Sequence, residues 1–173
     1  MRFYLKLSAC VVVVIGYAVG LWVAPFSVVT FLLGIPVCNW LANLFHELGH
    51  LLAYRLLKLE WKRMVLSFWV IEKGKGISLD RSKRIFDASC TCAYSAQVSL
   101  NRYRLALLSG GAVGLLMALG TILAGCCLAG PAKAFLLCFG TVSGVNGGVN
   151  LLVPFSPDRV LITQIKEERE KSA

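Results

Sequence analysis

The chain's only two histidines stand four residues apart with a glutamate after the first, as His46-Glu47-Leu48-Gly49-His50. Positions i and i+4 share one face of a helix, so both imidazoles can bind a single Zn²⁺ ion. Glu47 sits beside the first ligand, within reach of a zinc-bound water. Zinc lowers the pKa of such a water toward about 7. Glu47 can then take its proton and later deliver it to a leaving amine, the two proton transfers of peptide-bond hydrolysis. The competing explanation is a polar packing patch made by Asn39, Asn43, His46 and His50 along one helix face. It accounts for the polar face but not for a glutamate after the first histidine.

Two histidines leave zinc short of protein ligands, since catalytic sites commonly use three plus water. With no third histidine, the remaining ligand is a carboxylate or a cysteine. Asp158 closes the segment Asn150-Leu151-Leu152-Val153-Pro154-Phe155-Ser156-Pro157-Asp158. Its two prolines break regular helix, which suits a loop folding back into a polar cavity. An aspartate capping a helix from Arg159 onward is equally open on local sequence. The seven cysteines form a poor disulfide framework, being odd in number and mostly set in apolar runs. Cys90 and Cys92 form CxC rather than CxxC, so no second metal site is expected there.

The elements that must position these residues follow from composition. Of 173 residues 57% are hydrophobic and 16% charged, with a mean hydropathy of +0.71. A soluble domain carries roughly 25% charged residues, so a soluble globular domain and a disordered chain are both excluded. The expected fold is an all-α membrane protein with about four transmembrane helices and a short membrane-surface β-hairpin. Residues 5–23 read as a first transmembrane helix rather than a cleaved signal, because the run is long for a signal's apolar region. Residues 1–26 form this N-terminal unit. Residues 27–57, which contain Pro36 and HELGH, would span roughly 46 Å as one straight helix against about 30 Å of hydrocarbon. They must tilt, kink at Pro36 or begin near it.

Residues 104–129 and 134–153 read as two further helices. Each carries small residues at four-residue spacing, Ala106-Gly110-Gly114-Ala118 and Gly140-Gly144-Gly148. Close helix packing explains both rows without any catalytic role. The core then covers 27–165, followed by a charged tail at 166–173. Between the second and third helices, residues 58–103 hold half of the chain's 18 Lys and Arg residues. Met64–Ile71 and Ile77–Leu79, either side of Lys73-Gly74-Lys75-Gly76, read as the hairpin. The net charge of +9 would suggest nucleic acid in a soluble protein. Here the positive-inside rule explains it and places both termini and the 58–103 loop in the cytosol. No nucleic-acid partner is expected, and the lipid bilayer is. Glu47 lies about 16 Å of helix from Lys58, near mid-bilayer depth, where an ionisable residue is a functional candidate by default.

HELGH inside a membrane helix, followed two helices later by NLLVPFSPD, resembles the site-2 protease family of intramembrane zinc metalloproteases over roughly residues 27–165. The resemblance implies Zn²⁺ held by His46, His50 and Asp158, with Glu47 as catalytic base. It implies that Asn150 helps to hold the substrate backbone, and that the substrate is a membrane protein or peptide. Ser109-Gly110-Gly111 loosely resembles the small-residue patch of the family's middle core helix. The family places a membrane-surface sheet where this hairpin falls, receiving extended substrate by strand addition. Met64–Ile71 is then the expected edge, with Phe68 and Val70 against substrate. The compact members, without a PDZ domain, point to a bacterial plasma membrane. Arg159 stands where the family usually has glycine. It favours the alternative reading, a catalytically inactive protein that binds membrane peptides or partners. A metal carrier or peptide-export subunit would show polar residues on several helices, whereas here they centre on one helix and on residues 146–158.

Overall fold

The computed structural model of the chain describes residues 2–80, 82, 88–93, 95, 97–154 and 156–172. These form five helices and a four-stranded antiparallel sheet. Helix α1 covers Arg2–Val23, and a turn around Pro25 leads into α2, Val28–Leu56. Ser27 starts α2, its Oγ accepting the Thr30 backbone N–H at 3.1 Å. The helix runs on through Pro36, so it does not begin there. Its buried residues Thr30, Gly34, Cys38, Ala42, His46, His50 and Tyr54 recur every four positions. That single stripe carries both histidines inward. At the far end Lys58 takes a positive φ of 55°, and the chain turns into the sheet.

Strands β1 (Trp61–Leu66), β2 (Trp69–Glu72), β3 (Gly76–Leu79) and β4 (Ala88–Cys92) lie in the order β3-β2-β1-β4. The expected single strand over 64–71 is instead two. The chain reverses at Ser67–Phe68, pairing Leu66 with Trp69, and Ser67 adopts φ 57°. Ser67 Oγ accepts a hydrogen bond from Trp40 Nε1 at 3.0 Å. Trp40 precedes His46 by about 9 Å of helix. The turn therefore lies alongside α2 rather than flat across its end.

Helices α3 (Leu100–Cys126), α4 (Gly130–Leu152) and α5 (Pro157–Ser172) complete the chain. Backbones of α3 and α4 touch: a Cβ on Gly147 would meet Gly111 O at 2.7 Å and Leu115 N at 2.8 Å. The contact face of α4 runs through Gly140, Ser143 and Gly147, whereas Gly148 faces open space. Of the expected row 140-144-148, Gly140 lies on this face and a Cβ on Gly144 would meet Ala118 Cβ at 3.3 Å, while Gly148 leaves it and Gly147 makes the tightest approach. One core joins α2, the sheet, α3 and α5 through Tyr54, Met64, Tyr103, Leu107, Ile162 and Ile165. A second joins α1, α2 and α4 through Tyr17, Cys38, Cys138 and Phe139. Helix α5 passes position 165 without a break and buries two isoleucines, so its first half belongs to the core.

Among the described residues, three stretches are long and apolar enough to cross a membrane: Val28–Leu56, Leu100–Cys126 and Gly130–Glu167. A shorter apolar run, Leu7–Val23, lies in α1. Trp22, Val28, Leu32, Leu116 and Leu152 are among many large apolar side chains left exposed, a surface compatible with a lipid surround.

Candidate metal centre

His46 and His50 lie one turn apart on the inward stripe of α2 and are 6% and 2% exposed. Their rings meet edge to face, with Nε2 atoms 3.0 Å apart. Asp158 reaches both from α5. Its Oδ2 lies 3.3 Å from His46 Nε2 and its Oδ1 3.4 Å from His50 Nε2. Local sequence sets this approach. Ser156 precedes α5, accepts the Val160 N–H on its carbonyl, and donates from Oγ to Asn150 O at 3.1 Å. Pro157 then opens the helix, needing no N–H partner there. Of the two roles left open by the sequence, Asp158 takes the inward one, facing the histidines instead of capping. Phe155, within the same segment, lies outside the described residues.

The donor atoms suit a metal ion. His50 Nδ1 is 2.9 Å from Ala106 O, and a carbonyl only accepts, so Nδ1 carries a proton. In the neutral ring Nε2 then presents its lone pair to His46 and Asp158. Charge-assisted N–H···O bonds run about 2.7–2.9 Å, shorter than the 3.3 and 3.4 Å seen here. Ligands about 2.1 Å from one tetrahedral centre stand roughly 3.4 Å apart, which the two histidine–carboxylate distances match. Asp158 Oδ2 is buried with no hydrogen-bond partner. Among the described residues no other trio of His, Cys, Asp or Glu converges in this way.

Room for the imidazoles comes from α3. A Cβ on Gly110 would lie 2.6 Å from His50 Nε2 and 2.8 Å from His46 Cε1. Gly110 is therefore part of the site as well as of the packing row in which its spacing placed it. Ser109 Oγ bonds Ala106 O at 2.6 Å and Gly49 O at 3.1 Å, tying α3 to α2 beside the site. Neither role is visible in spacing, because a packing glycine and a ligand-clearing glycine look the same.

Glu47 is half-buried next to His46 and lines a cavity of about 460 Å³, shared with Asn43, Asn146, Asn150, Ser89 and Asp158. It faces the backbone N–H of Cys90. Asn150 borders this cavity as well, but its Nδ2 is spent inside α4, on Asn146 Oδ1 at 2.8 Å and Asn146 O at 3.1 Å. Asn146 in turn donates to Asn43 Oδ1, joining α4 to α2. Asn146 carried no role in the sequence reading.

Phe68 and Val70 do not line the cavity. Strands β1 and β2 are each paired on both sides, so Met64–Ile71 offers no free edge. The strand at the site is β4, through Ala88, Ser89 and Cys90. Burial, then the nearby Glu47 charge, pushes the Cys90 thiol up to about 12.

The chain matches no family model, no curated protein and no solved structure in comparisons with each. The likeness to site-2 proteases thus rests on the HELGH and Asn150–Asp158 segments themselves.

Proposed function

We propose that this chain is an intramembrane zinc metalloendopeptidase that cuts a membrane-embedded or juxtamembrane peptide bond. The observation that carries the reading is the meeting of His46 Nε2, His50 Nε2 and the Asp158 carboxylate at 3.0–3.4 Å beside Glu47 in one cavity. Zinc bound by those three residues supplies Lewis-acid polarisation and a water that ionises near neutral pH. Glu47 accepts a proton from the attacking water and returns it to the leaving amine. Ala106 O holds the His50 ring in the tautomer that leaves Nε2 free. Leu107, Val149 and Leu161 wall the cavity with apolar groups, which strengthens the electrostatics inside.

The basic residues flanking the sheet favour a cytosolic face for it, for the end of α2 and for the start of α3. A membrane protein or peptide is the substrate class that reaches such a site, and the compact-family likeness suggests a bacterial plasma membrane. Strand β4 is the edge along which an extended peptide can run past Glu47. Arg159 spends its guanidinium on Leu151 O and makes no ion pair with Asp158. This geometry supports cleavage over a peptide-binding role without it.

The test is zinc per chain in detergent, together with new α-amino groups released from a degenerate library of apolar peptides. Wild type and Glu47→Gln should each hold about one zinc, with cleavage by wild type alone. Asp158→Ala should lose both. Wild type prepared without chelators and still free of zinc would sink the reading. Cleavage retained by Glu47→Gln would remove Glu47 as the base.

A further inference from the structure

A second cleft opens on the other side of α5, between the first turns of α3, the end of α4 and the start of α5. It has a volume of about 470 Å³, and its polar walls include Arg104 and Arg159, with Leu108, Leu152 and Ile162 beside them. Among the described residues no carboxylate lines it, and neither arginine forms an ion pair. Arg159 is fixed by the 2.6 Å bond from Nη2 to Leu151 O, and its Nε is buried with no partner. Arg104 is exposed. Two guanidinium groups at one cleft, one of them anchored and under-satisfied, call for an anion. The planar fork of arginine suits the oxygens of a phosphate.

The surroundings select the kind of anion. Leu152, which lines the cleft, is 81% exposed, and Leu105 and Val160, the sequence neighbours of Arg104 and Arg159, are exposed as well. An apolar apron next to two cations fits an amphiphile, with its charged head in the cleft and its chains along the leucines. Basic pockets between membrane helices on the cytosolic side hold anionic head groups in this manner. We propose that Arg104 and Arg159 bind the phosphate of an anionic phospholipid. The headgroup would tie the first turn of α5, and with it the residue next to Asp158, to α3 and α4. The inference rests on the membrane placement proposed above, and on neither the metal nor the cleavage.

The experiment is native mass spectrometry of the full chain released from detergent with equal phosphatidylglycerol and phosphatidylcholine. Wild type should retain phosphatidylglycerol at least tenfold over phosphatidylcholine, and Arg104→Gln should cut that preference at least tenfold. Lys133→Gln, at the opposite end of α4, should leave it unchanged. The Arg104 side chain is exposed and donates no hydrogen bond among the described residues, so Arg104→Gln should fold even if Arg159→Gln does not. Equal retention of both lipids by wild type, or an unchanged preference in Arg104→Gln, would overturn the proposal. So would displacement of the lipid by millimolar inorganic phosphate, which would make the ligand a soluble anion. Alkaline extraction of the membranes separates the two failures: a chain released into the soluble fraction defeats the membrane placement itself.

Discussion

Asp158 and Arg159 are adjacent in sequence yet serve different neighbours. The Asp158 carboxylate lies 3.3 and 3.4 Å from the two histidine Nε2 atoms, while Arg159 Nη2 donates to Leu151 O at 2.6 Å. Successive residues of a helix point about 100° apart, so one turn of α5 can serve the metal site and the end of α4 separately. Leu151 is in the last turn of α4, where carbonyls lack helical partners and a cation is favourable. Arg159→Gly should therefore leave bound metal unchanged and lower stability by about 2 kcal/mol, from the lost charged hydrogen bond and the added helix glycine. Metal content and thermal unfolding of the same samples check this. Loss of metal at unchanged stability would mean that Arg159 acts on Asp158 after all.

Gly110 offers a sharper test of the site's shape. An added Cβ would stand 2.6 Å from His50 Nε2 and 2.7 Å from His50 Cε1, so the ring must swing away from its ligand position. Gly110→Ala should weaken metal binding at least tenfold, the scale on which displaced ligand support acts. Gly120→Ala, on the same helix with nothing within 4 Å, should bind metal as wild type does. Chelator competition on the two variants side by side measures the difference. Equal affinity in both would show that the imidazoles do not need the space α3 leaves them.

The sequence made some of this legible and hid the rest for physical reasons. His46 and His50 could be read because helical spacing and side-chain chemistry coincide, and the four-residue burial stripe of α2 bears out their shared face. The turn at Ser67–Phe68 could not. No Gly, Pro, Asn or Asp marks it, and the strain of φ 57° at a serine is met by tertiary context, the bond from Trp40. Strand β4 was missed because Ala-Ser-Cys-Thr-Cys is small and weakly patterned, and pairing with β1 rather than local propensity makes it a strand. The inward turn of Asp158 depends on where Ser156 and Pro157 start α5, which two equally plausible local readings could not separate.

The crossing of α3 and α4 should be the least tolerant place in the fold. Gly147→Ala would set a Cβ against backbone atoms of Gly111 and Leu115 at 2.7 and 2.8 Å, and backbone cannot move aside as a side chain can. The helices must separate, which also pulls Asn146 from Asn43. A loss of about 2–4 kcal/mol is expected, in the range of overpacked cores. Gly148→Ala, one residue on, meets nothing within 4 Å and should be neutral. Unfolding of both variants in the same detergent decides. Equal tolerance would favour the face through Gly144 and Gly148 that simple four-residue spacing suggests.

Cys90 gives a pH-dependent reading of the cavity wall. Its thiol is 8% exposed and raised to about 12, chiefly by burial and then by the Glu47 charge. A raised pKa leaves the neutral thiol dominant below 12, and only the thiolate reacts. Against an ordinary thiol near 8.5, the reactive fraction at pH 8 falls by roughly three orders of magnitude. Cys126 and Cys127 are exposed and should be alkylated at once by iodoacetamide, while Cys90 should react far more slowly in the folded protein. Its slow labelling should rise about tenfold per pH unit between 8 and 10, as the thiolate fraction does. Glu47→Gln should speed it, because that variant removes a charge that opposes thiolate formation. Peptide mapping after timed alkylation gives both rates. Rapid labelling of Cys90 at pH 8 in folded protein would mean that β4 leaves the cavity open to water, and that Glu47 is not held where the proton transfers require it.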